Sequence, residues 1–385
     1  MNLNELIVEL SKQDVKLSSQ DLGKTFVAPR NTLELQIAQI WEDILHVYHL
    51  GVKDNFFDLG GDSLLATRLV TEIQKQFEKD IPLLTLFQNA TIEQLASILG
   101  HSVSLTWEPL VALQHRGSKP PFFLVPGGDG IIFNFYHLAH HLGYERPFYT
   151  FQARGIYGDQ PPYNQVEEMA TDYIKALRTV QPQGPYLLGG HCFGAFVAFE
   201  MAIQLKKQGQ EVALLAILDA SEPSLSAQTV VRFVGDSSNS FEVNTTFLTL
   251  LVYGYELWLN KKLSICYEDL KLLKPDEQLN YVMEQLKKVH IFPSNATVKQ
   301  LRNIIQVFST SAFINYVPQE IYSNEITVFR ASENHLSNDI TMGWSKLSSK
   351  SIKSYEVPGN HITMMTEPHI QFLVQQLKVC IAQAH

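Results

Sequence analysis

The sequence has little cysteine, no cluster of basic residues and no long run of apolar residues. Its three cysteines, Cys192, Cys266 and Cys380, are odd in number and widely spaced, so they indicate neither a disulfide framework nor a zinc site. A formal net charge of −9 without a Lys/Arg cluster argues against nucleic acid as a partner. No apolar stretch approaches the length of a bilayer span, and the first residues lack the features of a signal peptide. We therefore expect a cytoplasmic globular protein that does not bind membranes.

What the sequence does contain is enough apolar residues for more than one core. A length of 385 residues, 45% of them hydrophobic and 18% charged, is typical of a globular chain of two or three domains. Pro29 and a stretch rich in Pro, Gly and Ser interrupt the periodic pattern. A strand is predicted inside that stretch, over Leu110–Leu113, and would lead into the sheet that follows. The predicted divisions are an N-terminal segment of residues 1–28, a helical domain of residues 29–100, a linker of residues 101–120 and a larger domain of residues 121–385.

The N-terminal segment, residues 1–28, combines a short helix with two strand-like pieces. Apolar residues in 4–12 favour the helix, and the pieces Val15–Leu17 and Lys24–Val27 bracket a polar turn. A frayed tail is the alternative interpretation. The helix-and-hairpin pattern resembles the N-terminal docking domains of some megasynthase subunits, which implies docking to a partner.

The helical domain, residues 29–100, shows amphipathic helices around a glycine-rich turn. Apolar positions repeat at helical spacing over 33–44, 65–77 and 95–99. The turn Gly60-Gly61 presents Ser63 at the start of the second helix. Because serine is a favoured N-cap, a purely structural role for Ser63 is the alternative.

The run Asp54-Asn55-Phe56-Phe57-Asp58-Leu59-Gly60-Gly61-Asp62-Ser63-Leu64 resembles the signature of peptidyl and acyl carrier proteins from nonribosomal peptide and polyketide synthases. That resemblance implies an all-α four-helix bundle with 4'-phosphopantetheine attached to Ser63. It also implies three partners, namely an upstream megasynthase module or subunit, a phosphopantetheinyl transferase, and an acyl or peptidyl thioester.

The larger domain alternates strands and helices, which predicts an α/β fold with a mostly parallel sheet between helices. Residues of about 222–322 interrupt the alternation with amphipathic helical sequence. An insertion of this kind over the strand ends is a candidate lid, and a structural role without gating is the alternative.

A nucleophile elbow of the form G-x-C-x-G organises this domain. The apolar run from Tyr186 leads into Gly190-His191-Cys192-Phe193-Gly194 and then into a helix. Small residues on both sides let strand and helix approach closely, and the helix N-terminus favours a thiolate at Cys192. A buried cysteine in a glycine-rich turn is the alternative.

A cysteine nucleophile needs a base and a group that orients the base. Asp219 ends the strand that follows the elbow helix, and His361 lies just beyond the last strand. Their order after the nucleophile is that of α/β-hydrolases, so we predict Asp219 as the orienting acid and His361 as the base. Glu333 and Asp339 are the alternative acids.

The oxyanion hole is predicted from backbone N–H groups. Phe193, directly after the nucleophile, supplies one, and Gly127 in the turn after an earlier strand supplies the second, with Gly128 as the alternative. No Gly-Lys-Ser/Thr follows this turn, which argues against a phosphate loop. His140 and His141 lack a third ligand at metal spacing, so no metal site is predicted.

From about Leu110 onward the chain resembles type I thioesterases of nonribosomal peptide and polyketide assembly lines, through the elbow, Asp219 and Gly359-Asn360-His361. Cys192 stands where serine is commoner, and Asn360 where aspartate is frequent. The resemblance implies a terminal unit that takes an acyl chain from Ser63 onto Cys192 and releases it by hydrolysis or cyclisation. A cysteine-dependent acyltransferase that passes the acyl group to another carrier or an amine is the alternative, and an inactive scaffold is a third.

Overall fold

A computed structural model describes residues 32–384 except 48–49, 101–106, 115–116, 144, 159, 226–239, 264, 266, 290, 293–295 and 335–337. The predicted docking helix and hairpin of residues 1–28 and Cys266 lie outside the described residues. The chain divides into two compact units, one that contains the first four helices and one that contains the sheet.

The first unit is built from helices whose apolar faces share one core. The core centres on aromatic rings: Trp41 meets Phe56 edge-on at 5.1 Å between ring centroids, and Phe57 stacks on Phe87 at 4.7 Å. Three of the helices fall on the segments that the apolar spacing predicts, and the short third one has no such pattern. The helices are α1 (Thr32–Leu45), α2 (Ser63–Phe77), α3 (Leu83–Gln88) and α4 (Ile92–Gly100).

The second unit contains a seven-stranded sheet in the order β1-β3-β2-β4-β5-β6-β7. Only β1 is antiparallel to its neighbour, so the prediction of a mostly parallel sheet is confirmed. The strand predicted inside the 101–120 stretch is β1, and it pairs with β3 as part of the sheet. The strands are β1 (Leu110–Gln114), β2 (Phe122–Val125), β3 (Phe148–Phe151), β4 (Tyr186–His191), β5 (Val212–Leu218), β6 (Ile326–Ala331) and β7 (Ile352–Val357).

Helices accompany the sheet and interrupt it once. The connecting helices are α5 (Tyr136–Leu142), α6 (Val166–Val180) and α7 (Gly194–Lys207). Between β5 and β6 the described residues contain no strand of the sheet, and the longer helices there are α8 (Ser240–Leu259), α9 (Tyr267–Lys271), α10 (Pro275–Lys288) and α11 (Val298–Phe313). Helix α12 (His369–Gln383) closes the chain; α6 packs on α7, and α5 packs on α12.

None of the helices in the described part of the chain is long and apolar enough to cross a membrane.

The connection from β4 to α7 is so tight that it admits only glycine at two positions. A Cβ added to Gly190 would lie 2.1 Å from the carbonyl oxygen of Gly194. A Cβ added to Gly194 would lie 2.3 Å from the carbonyl oxygen of Pro126. Strand β4, the turn after β2 and helix α7 therefore touch through backbone atoms at this point.

We expect Gly190→Ala to destabilise the sheet-containing unit, because its methyl group would overlap the backbone of Gly194. The free energy of unfolding should fall by about 1–3 kcal/mol, the usual effect of overpacking. Gly254→Ala is the matched control, since a Cβ at Gly254 in α8 meets nothing within 4 Å. Calorimetric unfolding of both variants measures the difference, and equal stability of the two would contradict the packing described here.

Candidate active site

The elbow places Cys192 at the end of β4, in a backbone conformation that non-glycine residues seldom adopt. Its φ angle is 55°, and its backbone N–H donates to the Leu218 carbonyl oxygen at 3.2 Å. Cys192 directly follows β4, at the carboxyl end of the parallel strands. Its thiol is free and half-buried, so solvent can reach it. A strained turn that exposes one side chain is the geometry expected of a nucleophile.

Asp219 and His361 meet beside this turn. Asp219 follows β5 and His361 follows β7, and His361 Nδ1 lies 2.7 Å from Asp219 Oδ2. The Asp219 side chain is completely buried, whereas 39% of the His361 side chain is exposed. The acid is thus enclosed, and the ring that it holds faces outward.

The electrostatics of the pair favour a protonated imidazole. Burial by itself would lower the pKa of His361, but the side chains of Cys192 and Asp219 outweigh it and raise this pKa well above its usual value. Asp219 acts on the ring through its 2.7 Å hydrogen bond as well as through charge, and Cys192 acts through its charge. Burial of Asp219 is likewise overcome, and its bonds to His361, Ala331 and Asn334 hold its pKa below the usual value. Cys192, His361 and Asp219 are therefore one coupled group.

Asn334 contributes to this group and was not predicted from the sequence. Asp219 Oδ1 accepts the backbone N–H of Ala331 at 2.8 Å and the Asn334 side-chain amide at 3.0 Å. The carboxylate is thereby fixed with Oδ2 free for the imidazole. Its position in the sequence could have indicated this role, because Asn334 follows β6 and active-site groups gather at the carboxyl ends of strands in parallel sheets.

His191, the residue directly before the nucleophile, also contacts the imidazole. Its ring stacks on that of His361 with centroids 4.6 Å apart, and its Nε2–H donates to the His361 carbonyl oxygen at 3.1 Å. Burial, and then the charge of His361, lower the pKa of His191 to about 3. His191 is thus a neutral platform that holds the ring and its loop.

The two predicted oxyanion donors lie next to the nucleophile. A Cβ at Gly127 would be 3.6 Å from Cys192 Cβ, and a Cβ at Gly128 would be 3.6 Å from Phe193 Cβ. Within the described residues, the backbone N–H groups of Phe193 and Gly127 donate to no other group. Both are therefore available to an oxygen bound beside Cys192.

Asn360, which stands where aspartate is frequent, closes the turn that contains His361. Its Oδ1 accepts the backbone N–H groups of Ile362 at 3.1 Å and Thr363 at 3.0 Å. Either an amide or a carboxylate oxygen can serve this purpose. Asparagine does so without adding a second negative charge beside His361.

The alternative acids, Glu333 and Asp339, and the adjacent histidines, His140 and His141, have no described contact with Cys192 or with the His361 ring. Glu333 is exposed, and Asp339 accepts hydrogen bonds from Thr341 and Gly343. His141 pairs with Glu367, and the side chain of His140 is outside the described part. Among the described residues no cluster of His, Cys, Asp and Glu could hold a metal ion.

In the first unit, Asp62 rather than Ser63 caps helix α2. Asp62 Oδ1 accepts the backbone N–H of Leu65 at 2.8 Å, and the Ser63 hydroxyl bonds to no described residue. Gly61 packs directly on Phe56, since a Cβ there would lie 2.3 Å from that ring. Ser63, which is 5% exposed, therefore does not anchor the turn through its hydroxyl.

Replacing Asp219 by Asn should lower the pKa of His361, because the carboxylate raises it through both charge and hydrogen bonding. The ring should then lose its proton at a lower pH, as NMR titration of isotope-labelled histidine would show. Asp339→Asn is the control, since Asp339 bonds Thr341 and Gly343. If the Asp219→Asn protein titrates at His361 like the wild type, Asp219 is not the partner of the base.

Two family profiles match the chain. The phosphopantetheine attachment site family matches residues 36–99, and the thioesterase domain family matches residues 120–378. The first match indicates that this domain carries covalently attached 4'-phosphopantetheine. The Ser63 hydroxyl, which bonds to no described residue, is compatible with that group.

Similar proteins are much longer than this chain. Chondramide synthase of Chondromyces crocatus is 30% identical over 370 residues, which is 92% of this chain and 9% of that protein. Indigoidine synthase of Dickeya dadantii (strain 3937) is 41% identical over 228 residues, 59% of this chain and 15% of that protein. The crystal structure of holo-AB3403, a four-domain nonribosomal peptide synthetase bound to AMP and glycine, aligns with a TM-score of 0.65 at 27% identity and covers 92% of this chain and 26% of that one.

The two matched domains follow one another as carrier and thioesterase, and the matches to chondramide synthase and to the four-domain synthetase each cover 92% of this chain. The chain thus belongs to the thioesterase domain family and, with its preceding phosphopantetheine carrier domain, is homologous to nonribosomal peptide synthetase-type proteins.

Proposed function

We propose that this chain releases an acyl or peptidyl chain from its own carrier domain, with Cys192 as nucleophile, His361 as base and Asp219 as orienting acid. The observation that carries the proposal is the 2.7 Å contact of His361 Nδ1 with Asp219 Oδ2, beside a strained elbow that presents a free thiol. Membership of the thioesterase domain family supports the reaction class.

The proposed attachment site for 4'-phosphopantetheine is Ser63. In support, Asp62 takes the capping role that serine would otherwise have, and the hydroxyl bonds to no described residue. When bound, the prosthetic group supplies a terminal thiol that carries the acyl chain as a thioester.

In the first half-reaction Cys192 gives its proton to His361, and its sulfur attacks the thioester carbonyl carbon. The developing oxyanion accepts hydrogen bonds from the backbone N–H groups of Phe193 and Gly127. When the carbon–sulfur bond of the incoming thioester breaks, His361 returns a proton to the leaving thiol. Asp219 keeps the imidazole oriented and stabilises its protonated form throughout.

In the second half-reaction His361 takes a proton from water, or from an amine or hydroxyl group of the chain itself. That oxygen or nitrogen attacks the acyl carbon, and Cys192 leaves as the thiol with the same proton. Water gives a free acid, and an internal nucleophile gives a ring.

The sulfur of Cys192 favours a product that needs an activated acyl group. Transfer to a serine would give an oxyester of lower energy, whereas transfer to Cys192 exchanges one thioester for another. Amines attack thioesters more readily, relative to water, than they attack oxyesters. Transfer to an amine or to another carrier is therefore the second candidate function, and the cysteine in place of the commoner serine is the observation that favours it.

The helices between β5 and β6 are proposed as a lid over the acyl site. A Cβ at Gly128 would lie 3.2 Å from Ser311 Cβ and 3.6 Å from the Phe308 ring, both in α11. The insertion therefore packs on the turn that carries Gly127. We infer that α11 forms one wall of the site and that the insertion influences which chains enter.

An upstream synthetase module and a phosphopantetheinyl transferase are the proposed partners. The chain spans 9% of chondramide synthase and 15% of indigoidine synthase. A unit of this kind receives its acyl chain from modules that it does not contain.

Ser63→Ala should abolish attachment of phosphopantetheine. Incubation with a phosphopantetheinyl transferase and coenzyme A should add one group to the wild-type mass and none to the variant. The Ser63→Ala carrier should stay folded because Asp62 caps α2, and circular dichroism checks this point. Equal mass gain in both proteins would exclude Ser63 as the attachment site.

Cys192→Ser, with an acyl chain loaded on Ser63, tests why the nucleophile is sulfur. We expect the variant either to accumulate as a stable acyl-enzyme or to divert to hydrolysis, since an oxyester is less reactive toward amines than a thioester. Intact-protein mass spectrometry follows the acyl-enzyme, and product analysis follows the partition. The same product at a comparable rate would mean that the sulfur has no special role.

A further inference from the structure

Asp129 is an acidic residue in the turn that carries Gly127, and the proposed release reaction does not use it. It is half-buried, and its Oδ1 accepts the backbone N–H of Ile131 at 3.0 Å. This bond closes a local turn, which is an ordinary structural role for aspartate and one that asparagine could fill equally well.

One oxygen of the Asp129 carboxylate lies near both Gly127 and Cys192. The position that a Gly127 Cβ would occupy lies 3.6 Å from Asp129 Oδ1 and 3.6 Å from Cys192 Cβ. The same position lies 3.8 Å from His191 Nδ1. Asp129 Oδ1, Cys192 Cβ and His191 Nδ1 therefore border the same point beside Gly127.

No permanent cation neutralises Asp129. Among the described residues no lysine or arginine pairs with it, and His361 is the one cationic group that affects its titration. Side chains that α8 and α11 bring close to it or its turn are uncharged, including Tyr255, Val307 and Phe308. Burial raises the pKa of Asp129 to about 6, although the Ile131 N–H and the charge of His361 oppose this rise.

A negative charge in a desolvated place gains stability from a positive group bound beside it. We propose that Asp129 binds an ammonium group of the chain attached to Cys192, so that the site selects aminoacyl chains and peptidyl chains with an amine near the thioester. This inference rests on the proposed release function, because it assumes that the acyl group occupies Cys192. Asn at this position would keep the turn and lose the selection.

The first test needs no turnover. Aminoethyl methanethiosulfonate and its neutral isostere propyl methanethiosulfonate both react with a thiolate at their sulfenyl sulfur, forming a disulfide and releasing methanesulfinate. The ratio of the two rates at Cys192, read by peptide mass spectrometry to separate it from Cys266 and Cys380, reports attraction of an ammonium group. In Asp129→Asn this ratio should fall on the order of tenfold, the effect of one charged hydrogen bond. Asp339→Asn is the control, because Asp339 accepts hydrogen bonds from Thr341 and Gly343, and it should leave the ratio unchanged.

The second test uses turnover of β-alanyl and butanoyl pantetheine thioesters, which match in size and differ in charge. Asp129→Asn should lower the β-alanyl to butanoyl ratio of kcat/KM on the order of tenfold, mainly through KM. If Asp129→Asn leaves both ratios unchanged, the ammonium site is wrong. Turnover of either thioester by the wild type would still support the release function. If the wild type hydrolyses or transfers neither thioester but the thiosulfonate ratio falls, the ammonium site stands and the release function fails.

Discussion

The close approach of β4 and α7 is the constraint on which the rest of the site depends. Because Gly190 and Gly194 have no side chains, the strand can turn into the helix within a few residues and press against the backbone after β2. That contact forces Cys192 to a φ angle of 55° and brings Gly127 beside it. The nucleophile and the proposed oxyanion donor are thus positioned by backbone packing rather than by side-chain interactions.

Two residues fix the position of the His361 ring. His361 has a buried acid on one side and the stacked ring of His191 on the other. Since His191 stays neutral, the charge on His361 responds to Cys192 and Asp219 rather than to its stacking partner. The imidazole is therefore held on two sides, by Asp219 Oδ2 and by the His191 ring.

The sequence predicted those parts of the fold and site that follow from local periodicity or from spacing. The parallel strands and long helices have strong apolar patterns, and the elbow shows its two glycines at fixed spacing. Helix α3 was missed because six residues are too few for a helical period to appear. Asn334 and His191 were missed because their roles depend on contacts between segments distant in the chain, to which no local pattern refers.

Asp62 caps helix α2 while the neighbouring Ser63 is the proposed attachment site, and this separation bears on how the carrier is modified. Since the helix cap belongs to Asp62, esterification of Ser63, the proposed attachment site, would remove no hydrogen bond that holds the start of α2. In the proposed scheme the carrier can therefore fold before it is modified, and release of the prosthetic group would leave this helix cap as it was.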